Sequence, residues 1–350
     1  MMTAFHRLKK NKPAMVSLVF IVMMAIVALF AYQIAPDKTS NANTQLLEFQ
    51  GMPPGYSADF LKIEYETEDE SLLKKMFLGE NSRNEFIPVN SYSKESDGYR
   101  VQHYIDSDTS DILFYRFSPD TKLSVEKKTF LLGTDTFGRD IFSSILIGLR
   151  ISLAVGFIAV LVSLVLGISL GSAAGYFGGK TDAFVSGFIL VMWSIPTILL
   201  VFAFTMALGK GFFQIFLAIG LTLWVQVARL VRGQVMLVKG YEYVQAARAL
   251  GFSDMRIIMR HIIPNIIGPV LVLSASTFAS AIMIESGLSF LGIGIQPPQP
   301  SLGLMLREHY TFIITNKPLL ALIPGFALML LVLAFNVLGN GLRDAFDVRD

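Results

Sequence analysis

A chain of 350 residues that is 53% hydrophobic and only 16% charged, with mean hydropathy +0.55, is too apolar for a soluble enzyme. It has no cysteine, which excludes disulfides, thiolate metal sites and cysteine nucleophiles. The net charge of +2 hides a split: residues 37–140 carry 19 acidic and 12 basic side chains, the remainder 8 and 17, which points to two compartments and needs no nucleic acid.

The basic lead-in His6-Arg7-Leu8-Lys9-Lys10-Asn11-Lys12 precedes 22 uncharged residues, Ala14 to Ala35. A signal peptide also starts basic, but this run exceeds an ordinary signal core and no A-x-A site follows it. It is long enough to cross ~30 Å of hydrocarbon, so a retained first span entering from the cytoplasm is expected. Residues 37–128 are polar and belong on the far side. Leu61-Lys62-Ile63-Glu64-Tyr65-Glu66 alternates like a half-buried strand, and Tyr99–Ile105 and Ile112–Phe117 suggest two more. Thr67-x-x-Glu70 forms a capping box ahead of a helix over 71–78, with Gly79 as its stop. The segment reads as a small α+β domain, either a contact for a binding protein or a passive insertion.

Leu132-Gly133-Thr134-Asp135-Thr136-Phe137-Gly138-Arg139-Asp140-Ile141-Phe142-Ser143 reads as a turn leading into an amphipathic stretch at the outer interface, and Gly148-Leu149-Arg150-Ile151-Ser152-Leu153 follows. The second span is Ile151–Ala174. Within it Ser163, Gly167 and Gly171, followed by Gly175, recur every four residues, a stripe suited to close helix packing. Gly178-Gly179-Lys180-Thr181 imitates the end of a P-loop, but Ala174 stands where its first glycine belongs and a membrane helix precedes it in place of a strand. An ATP site is therefore not expected here. Phe184–Leu208 is the third span, kinked at Pro196, and Phe212–Ala228 the fourth.

Between the fourth and fifth spans lies EYVQAARALGFSDMRIIMRHIIP, Glu242 to Pro264. Glu242–Leu250 is a short helix of good helix formers, and Gly251 supplies the residue that turns left-handed past its end. Ser253 caps a second short helix, with Asp254 in its first turn, which Pro264 closes. The small side chains of Ala246 and Ala247 let another protein's backbone come close. Six Lys or Arg residues from Arg229 to Arg260 face two acids, the mark of a cytoplasmic loop. Pro269–Ile293 is the fifth span; its one charge, Glu285, is either a pathway residue or a paired or neutral carboxyl near the outer rim. Leu319–Leu338 is the sixth span.

Gln245-Ala246-Ala247, then Gly251, then His261-Ile262-Ile263-Pro264 resembles the "EAA" coupling loop of permease subunits in binding-protein-dependent ABC importers. Gln245 and Ile263 depart from that pattern by near-isosteric changes. GTDxxGRDxxS with GxRxSL, the stretch Glu285 to Gly292, and the tail Gly339 to Asp344 resemble its dipeptide and oligopeptide branch. The resemblance covers residues 130–345 closely and leaves out 37–128. An Arg and an Asp that the family often carries early in the third span align with Gly187 and Leu190, so nothing is carried over there.

The resemblance implies an all-α polytopic membrane protein of six spans, with the α+β insertion between the first and second. Residues 1–36 form the N-terminus and first span, 37–128 the outer domain, and 129–350 the permease core with its coupling loop at 239–265. It implies an inner-membrane, multi-pass permease with both termini cytoplasmic, translocating di- or oligopeptides, or nickel or another small solute of the same branch. The implied partners are two ATPase subunits, a second related permease, an extracytoplasmic binding protein and the bilayer. ATP and Mg would sit on the ATPase subunits, with no cofactor, metal or catalytic residue in this chain. The implied coupling residues are Glu242, Gln245, Ala246, Ala247, Gly251, His261 and Pro264; Glu285 is the candidate for the pathway by its charge alone. A membrane receptor whose outer domain carries the function, and a membrane-bound enzyme, are the rivals from other classes. The first needs fewer spans, and the second needs a polar cluster at one depth.

Overall fold

The longest uncharged runs become the longest helices. The computed structural model describes residues 2–65, 71–80, 84–104, 110–116, 121–209, 211–314 and 317–346. In chain order the elements are α1 Met2–Lys10, α2 Lys12–Leu29, α3 Ala31–Ile34, β1 Tyr56–Tyr65, α4 Leu72–Leu78, β2 Glu85–Glu95, β3 Gly98–Tyr104, β4 Ser110–Arg116 and β5 Thr121–Phe130. The helical part follows as α5 Ile141–Phe177, α6 Gly179–Ser194, α7 Thr197–Leu208, α8 Phe212–Lys239, α9 Glu242–Ala249, α10 Asp254–Ile257, α11 Ile263–Phe290, α12 Leu302–His309 and α13 Leu319–Phe346. Among the described residues five helical stretches are long and apolar enough to cross a membrane: α2, α5, α8, Asp254–Phe290 and α13. A sixth crossing exists if α6 and α7 count as one.

That pair is bent by 97°, where a kink at Pro196 was expected. Proline disfavours helical geometry in the residue before it, and both Ile195 (φ −96°, ψ 129°) and Pro196 (φ −52°, ψ 130°) are extended. Two successive extended residues break the helix. α5 starts ten residues before the expected span because Asp140 caps it, its Oδ2 accepting from the Ser143 amide at 3.0 Å. The glycine stripe on α5 packs against α8. A Cβ on Gly167, Gly171 or Gly175 would lie 2.5–2.7 Å from Val227 or from the Ala228 and Arg232 carbonyls, so the two backbones touch.

The polar segment folds as an antiparallel sheet in the order β4-β3-β2-β1-β5. β1, β3 and β4 lie where alternation placed strands. β2 and β5 follow no clean alternation and were not anticipated. Leu61 and Ile63 of β1 are buried on one face with Ile87, Val89 and Val101, and Phe60 packs with Phe49 and Phe130 on the other. Thr67 and Glu70 lie outside the described residues; Ser71 caps α4, its Oγ accepting from Lys74 N at 3.3 Å. Residues 46–55 strap down onto the turn before α5. Gly133 and Gly138 have φ of +81° and +72°, and a Cβ on either would strike the Met52 or Leu46 carbonyl. Thr134 Oγ1 donates to the Phe49 carbonyl and accepts from Met52 N at 2.8 Å. Arg150 stacks on Tyr32 and Phe77 and donates to the Met76 and Phe77 carbonyls at 3.2 and 2.9 Å, fastening α4 to α5.

Candidate functional site

The segment from Lys239 to Ile266 is built from local signals. α9 begins with Glu242 in its first turn and ends in a full Schellman motif: Phe252 N bonds the Ala247 carbonyl at 3.2 Å and Gly251 N the Arg248 carbonyl at 3.0 Å. Gly251 takes φ +78°, as that motif requires. Gln245 Nε2 donates to the Lys239 carbonyl at 2.8 Å, closing the turn from α8 into α9. A glutamate carboxylate has no proton to give that carbonyl, so the departure from the family pattern has a local reason.

α9 has two unlike faces. Val244 and Ala247 are buried, 3% and 4% exposed, in a cluster with Val231, Val235, Ile257 and Ile262. Glu242, Gln245, Ala246 and Arg248 are exposed. The close approach expected at Ala246 and Ala247 therefore divides between them. Ala246 faces outward, whereas Ala247 is small because it packs on this chain's own core.

Pro264 does not close the second helix. The chain runs as one helical stretch from Asp254 to Phe290, with a π turn over Ile258–Ile262 in which Ile263 N bonds the Ile258 carbonyl. Pro264 sits in the first turn of α11, and the widened turn just before it spares the helix an i−4 bond that proline has no N–H to make. His261 is half-buried and stacks on Phe252 at 6.0 Å between ring centroids. Ser253 holds the N-cap position without a side-chain bond. The Asp254 carboxylate instead accepts from Tyr176 Oη at 2.6 Å, and Lys239 Nζ donates to the Tyr176 carbonyl at 2.5 Å. These contacts join the ends of α5 and α8 to the start of α10. Separated by 78 and 63 residues, they gave no local signal.

Next to this segment, α8, α11 and α13 enclose a cleft of about 540 Å³. Gln234, Ser276, Asn336, Asn340 and Arg343 line it together with Pro269, which lies one turn beyond Ile266. Amides on spanning helices are costly against lipid, so such a surface belongs against water, solute or protein. Glu285 lies elsewhere. It is fully buried, accepting from Ser152 Oγ at 3.0 Å, Ser289 Oγ at 2.8 Å and Ser286 Oγ at 3.3 Å. The carboxyl joins α11 to α5 inside the protein, the paired arrangement that stood as the alternative to a pathway position. Asp182 and Arg232 were also missed. Arg232 donates through Nε and Nη2 to both oxygens of Asp182, the second bond at 2.6 Å, and pins the start of α6 to α8.

Residues 167–349 match the family described as "Binding-protein-dependent transport system inner membrane component". The chain belongs to this family. Residues 1–54 match the "N-terminal TM domain of oligopeptide transport permease C". The dipeptide transport system permease protein DppC of Alkalihalophilus pseudofirmus is 41% identical over 66% of this chain and 75% of its own length. The glutathione transport system permease protein GsiD of Pectobacterium atrosepticum is 41% identical over 62% and 71%. The oligopeptide transport system permease protein OppC of Bacillus subtilis is 37% identical over 67% and 77%. The permease is thus the inner-membrane, helical, multi-pass component of an ABC importer. It is a transport component and not an enzyme, and it works with a separate ATPase and a substrate-binding protein.

Proposed function

We propose that this permease passes di- or oligopeptides, delivered by an extracytoplasmic binding protein, through a six-span path that its two termini flank on the cytoplasmic side. It pairs with a second permease and two ATPase subunits, which hold the ATP and Mg. The peptide assignment is supported by the relatives, named for dipeptide, oligopeptide and glutathione transport at about 40% identity. The cleft beside α11 is the inner end of the path: its amides and hydroxyl suit peptide groups, and Arg343 is its one charge.

One observation carries the coupling role. α9 shows a polar and small-residue face outward while its buried face is seated on the ends of α5, α8 and α11. An ATPase subunit docking on Glu242, Gln245 and Ala246 would therefore move these helix ends together. Gly251 keeps the turn, and His261 and Pro264 belong to the helix that carries the displacement. ATP binding draws the coupling helices inward and opens the path outward; hydrolysis resets it. The chain has no native cysteine, so a single cysteine reports cleanly. A cysteine at 246 should crosslink to the ATPase subunit in intact complex and one at 247 should not. Crosslinking from neither position would remove α9 from the interface.

A further inference from the structure

On the sheet side, the turn before α5 meets α12, and four side chains outside the α9 segment converge there: Asp135, Arg139, Glu308 and His309. We propose that Asp135, Glu308 and His309 bind one divalent transition-metal ion, Zn²⁺ or a neighbour of similar preference. Their donor atoms all lie within 4.8 Å of one another. The residual space there is about 10 Å³, the size of a single water or ion.

The histidine carries the argument. His309 Nδ1 lies 2.8 Å from the Met305 carbonyl, which only accepts, so Nδ1 carries a proton and, in the neutral ring, Nε2 presents a lone pair. That is how a metal-binding imidazole is oriented when its second nitrogen is anchored to the backbone. The His309 side chain is only 2% exposed, and Nε2 has no hydrogen-bond partner among the described residues. It faces Asp135 Oδ2 at 3.9 Å, which in the neutral ring sets two acceptors opposite each other. A buried lone pair aimed at a carboxylate is costly unless a cation joins them.

Arg139 sets the character of the site. It donates to Asp135 Oδ2 and to Glu308 Oε2, each at 2.6 Å, orienting both carboxylates, while Glu308 Oε1 takes no hydrogen bond among those described. Its charge offsets one carboxylate, so the ligand set keeps one net negative charge. Two carboxylates and an imidazole suit Zn²⁺, Co²⁺ or Ni²⁺, whereas Ca²⁺ and Mg²⁺ prefer oxygen-only shells. Bound metal would fasten the turn before α5 to α12, whose Gly303 packs on the Ser286 backbone of α11, next to Glu285.

The test uses the assembled transporter, purified without a polyhistidine tag, stripped with chelator, reloaded with Zn²⁺ and desalted. Metal is counted by mass spectrometry and Tm is read with and without Zn²⁺. The complex should hold one equivalent more per permease chain than its His309→Phe counterpart, and a Zn²⁺-dependent rise in Tm should vanish in that variant and in Glu308→Gln. Visible bands of Co²⁺ in the same site should disappear likewise. Phenylalanine keeps the buried ring volume; if that variant fails to assemble, Glu308→Gln carries the comparison alone. Equal metal content in parent and variants overturns the proposal. So does a Tm that follows pH through His309 and ignores Zn²⁺, since the occupant is then a water or a proton.

Discussion

The two ends of α11 are built on opposite plans. Where it emerges from α10, the protein displays polar side chains: Glu242, Gln245 and Arg248 are exposed, and an apolar cluster holds the segment beneath them. The hydrogen bonds there (Tyr176 to Asp254, Lys239 to Tyr176, Gln245 to Lys239) lie at its part-buried or exposed edge. Near its other end the polar groups are sealed inside. Glu285 is enclosed by serines, and Asp135, Arg139 and Glu308 pair with one another beside a buried histidine. Apolar contacts slide at little cost, whereas buried hydrogen bonds tolerate only small displacements before a polar group is stranded. One end is suited to move and the other to serve as its fixed joint.

The largest expected effect tests the joint. Glu285→Ala leaves three serine hydroxyls facing a cavity and should cost about 3–5 kcal/mol, seen as a large fall in Tm or loss of assembled complex. Glu285→Gln keeps the volume and most of the bonds, because serine hydroxyls rotate to accept as well as donate, and should cost far less. If Glu285→Ala assembled with unchanged Tm while uptake fell, the carboxyl would belong to the solute path and the contrast between the two ends would fail.

The next effect separates the two faces of α9. Ala247→Asp places an unpaired charge at a 4% exposed site within this chain's own core and should destabilise the coupling segment by about 3 kcal/mol, before any ATPase is present. Ala246→Asp, on the exposed face, should leave Tm unchanged and abolish substrate-stimulated ATP hydrolysis. Thermal unfolding of the isolated permease beside ATPase assays of the complex reads both. Equal Tm values for the two variants would mean that α9 does not sit on the core as described.

Much of the moving end was legible in the sequence because its determinants are local. The Schellman turn at Gly251 needs six consecutive residues, and the uncharged runs mark where the long helices lie, though α5, α8 and α11 each extend beyond them. The joint was not legible, because its partners lie far apart in the chain. Ser152 meets Glu285 across 133 residues and Arg139 meets Glu308 across 169. The GTDxxGRD stretch read as a turn leading into an amphipathic stretch, whereas its glycines answer to positive φ and also to the strap at 46–55 that lies over them. Pro264 misled in the opposite way. A proline usually ends a helix, but a π turn whose signal is not written in any residue type absorbed it.

A smaller effect concerns Lys128, under the sheet against the Phe60 and Phe86 rings. Burial pushes its ammonium down to about 8, with Asp37 and Glu126 opposing that shift. Between about pH 8 and the ordinary lysine value of 10.5, the unfolded chain holds a proton that the folded chain has lost, so stability should rise with pH across that window. Below it the folded protein bears the full penalty, about 3 kcal/mol for a shift of that size. Lys128→Met should raise Tm at pH 7 and flatten the pH profile from 8 to 10. An unchanged profile would mean that the ammonium is well solvated and that this end buries fewer charges than described.

The smallest effect sharpens the contrast most, because it isolates one backbone angle. Gly251 has φ +78°, and no atom lies within 4 Å of where its Cβ would stand. Within the permease, then, a substitution meets strain without a clash, about 1 kcal/mol for Gly251→Ala and less for Gly251→Asn, which tolerates left-handed geometry better. Both variants should fold with Tm within a few degrees of the parent. Coupling then distinguishes two causes. If Gly251→Ala loses substrate-stimulated ATP hydrolysis and Gly251→Asn keeps it, the turn's geometry is what the ATPase reads. If both lose it equally, the side chain itself blocks docking, and the surface around Gly251 lies inside the interface. Parent-level stimulation in both variants would place the interface on the exposed face of α9 alone, with Gly251 serving only to end the helix.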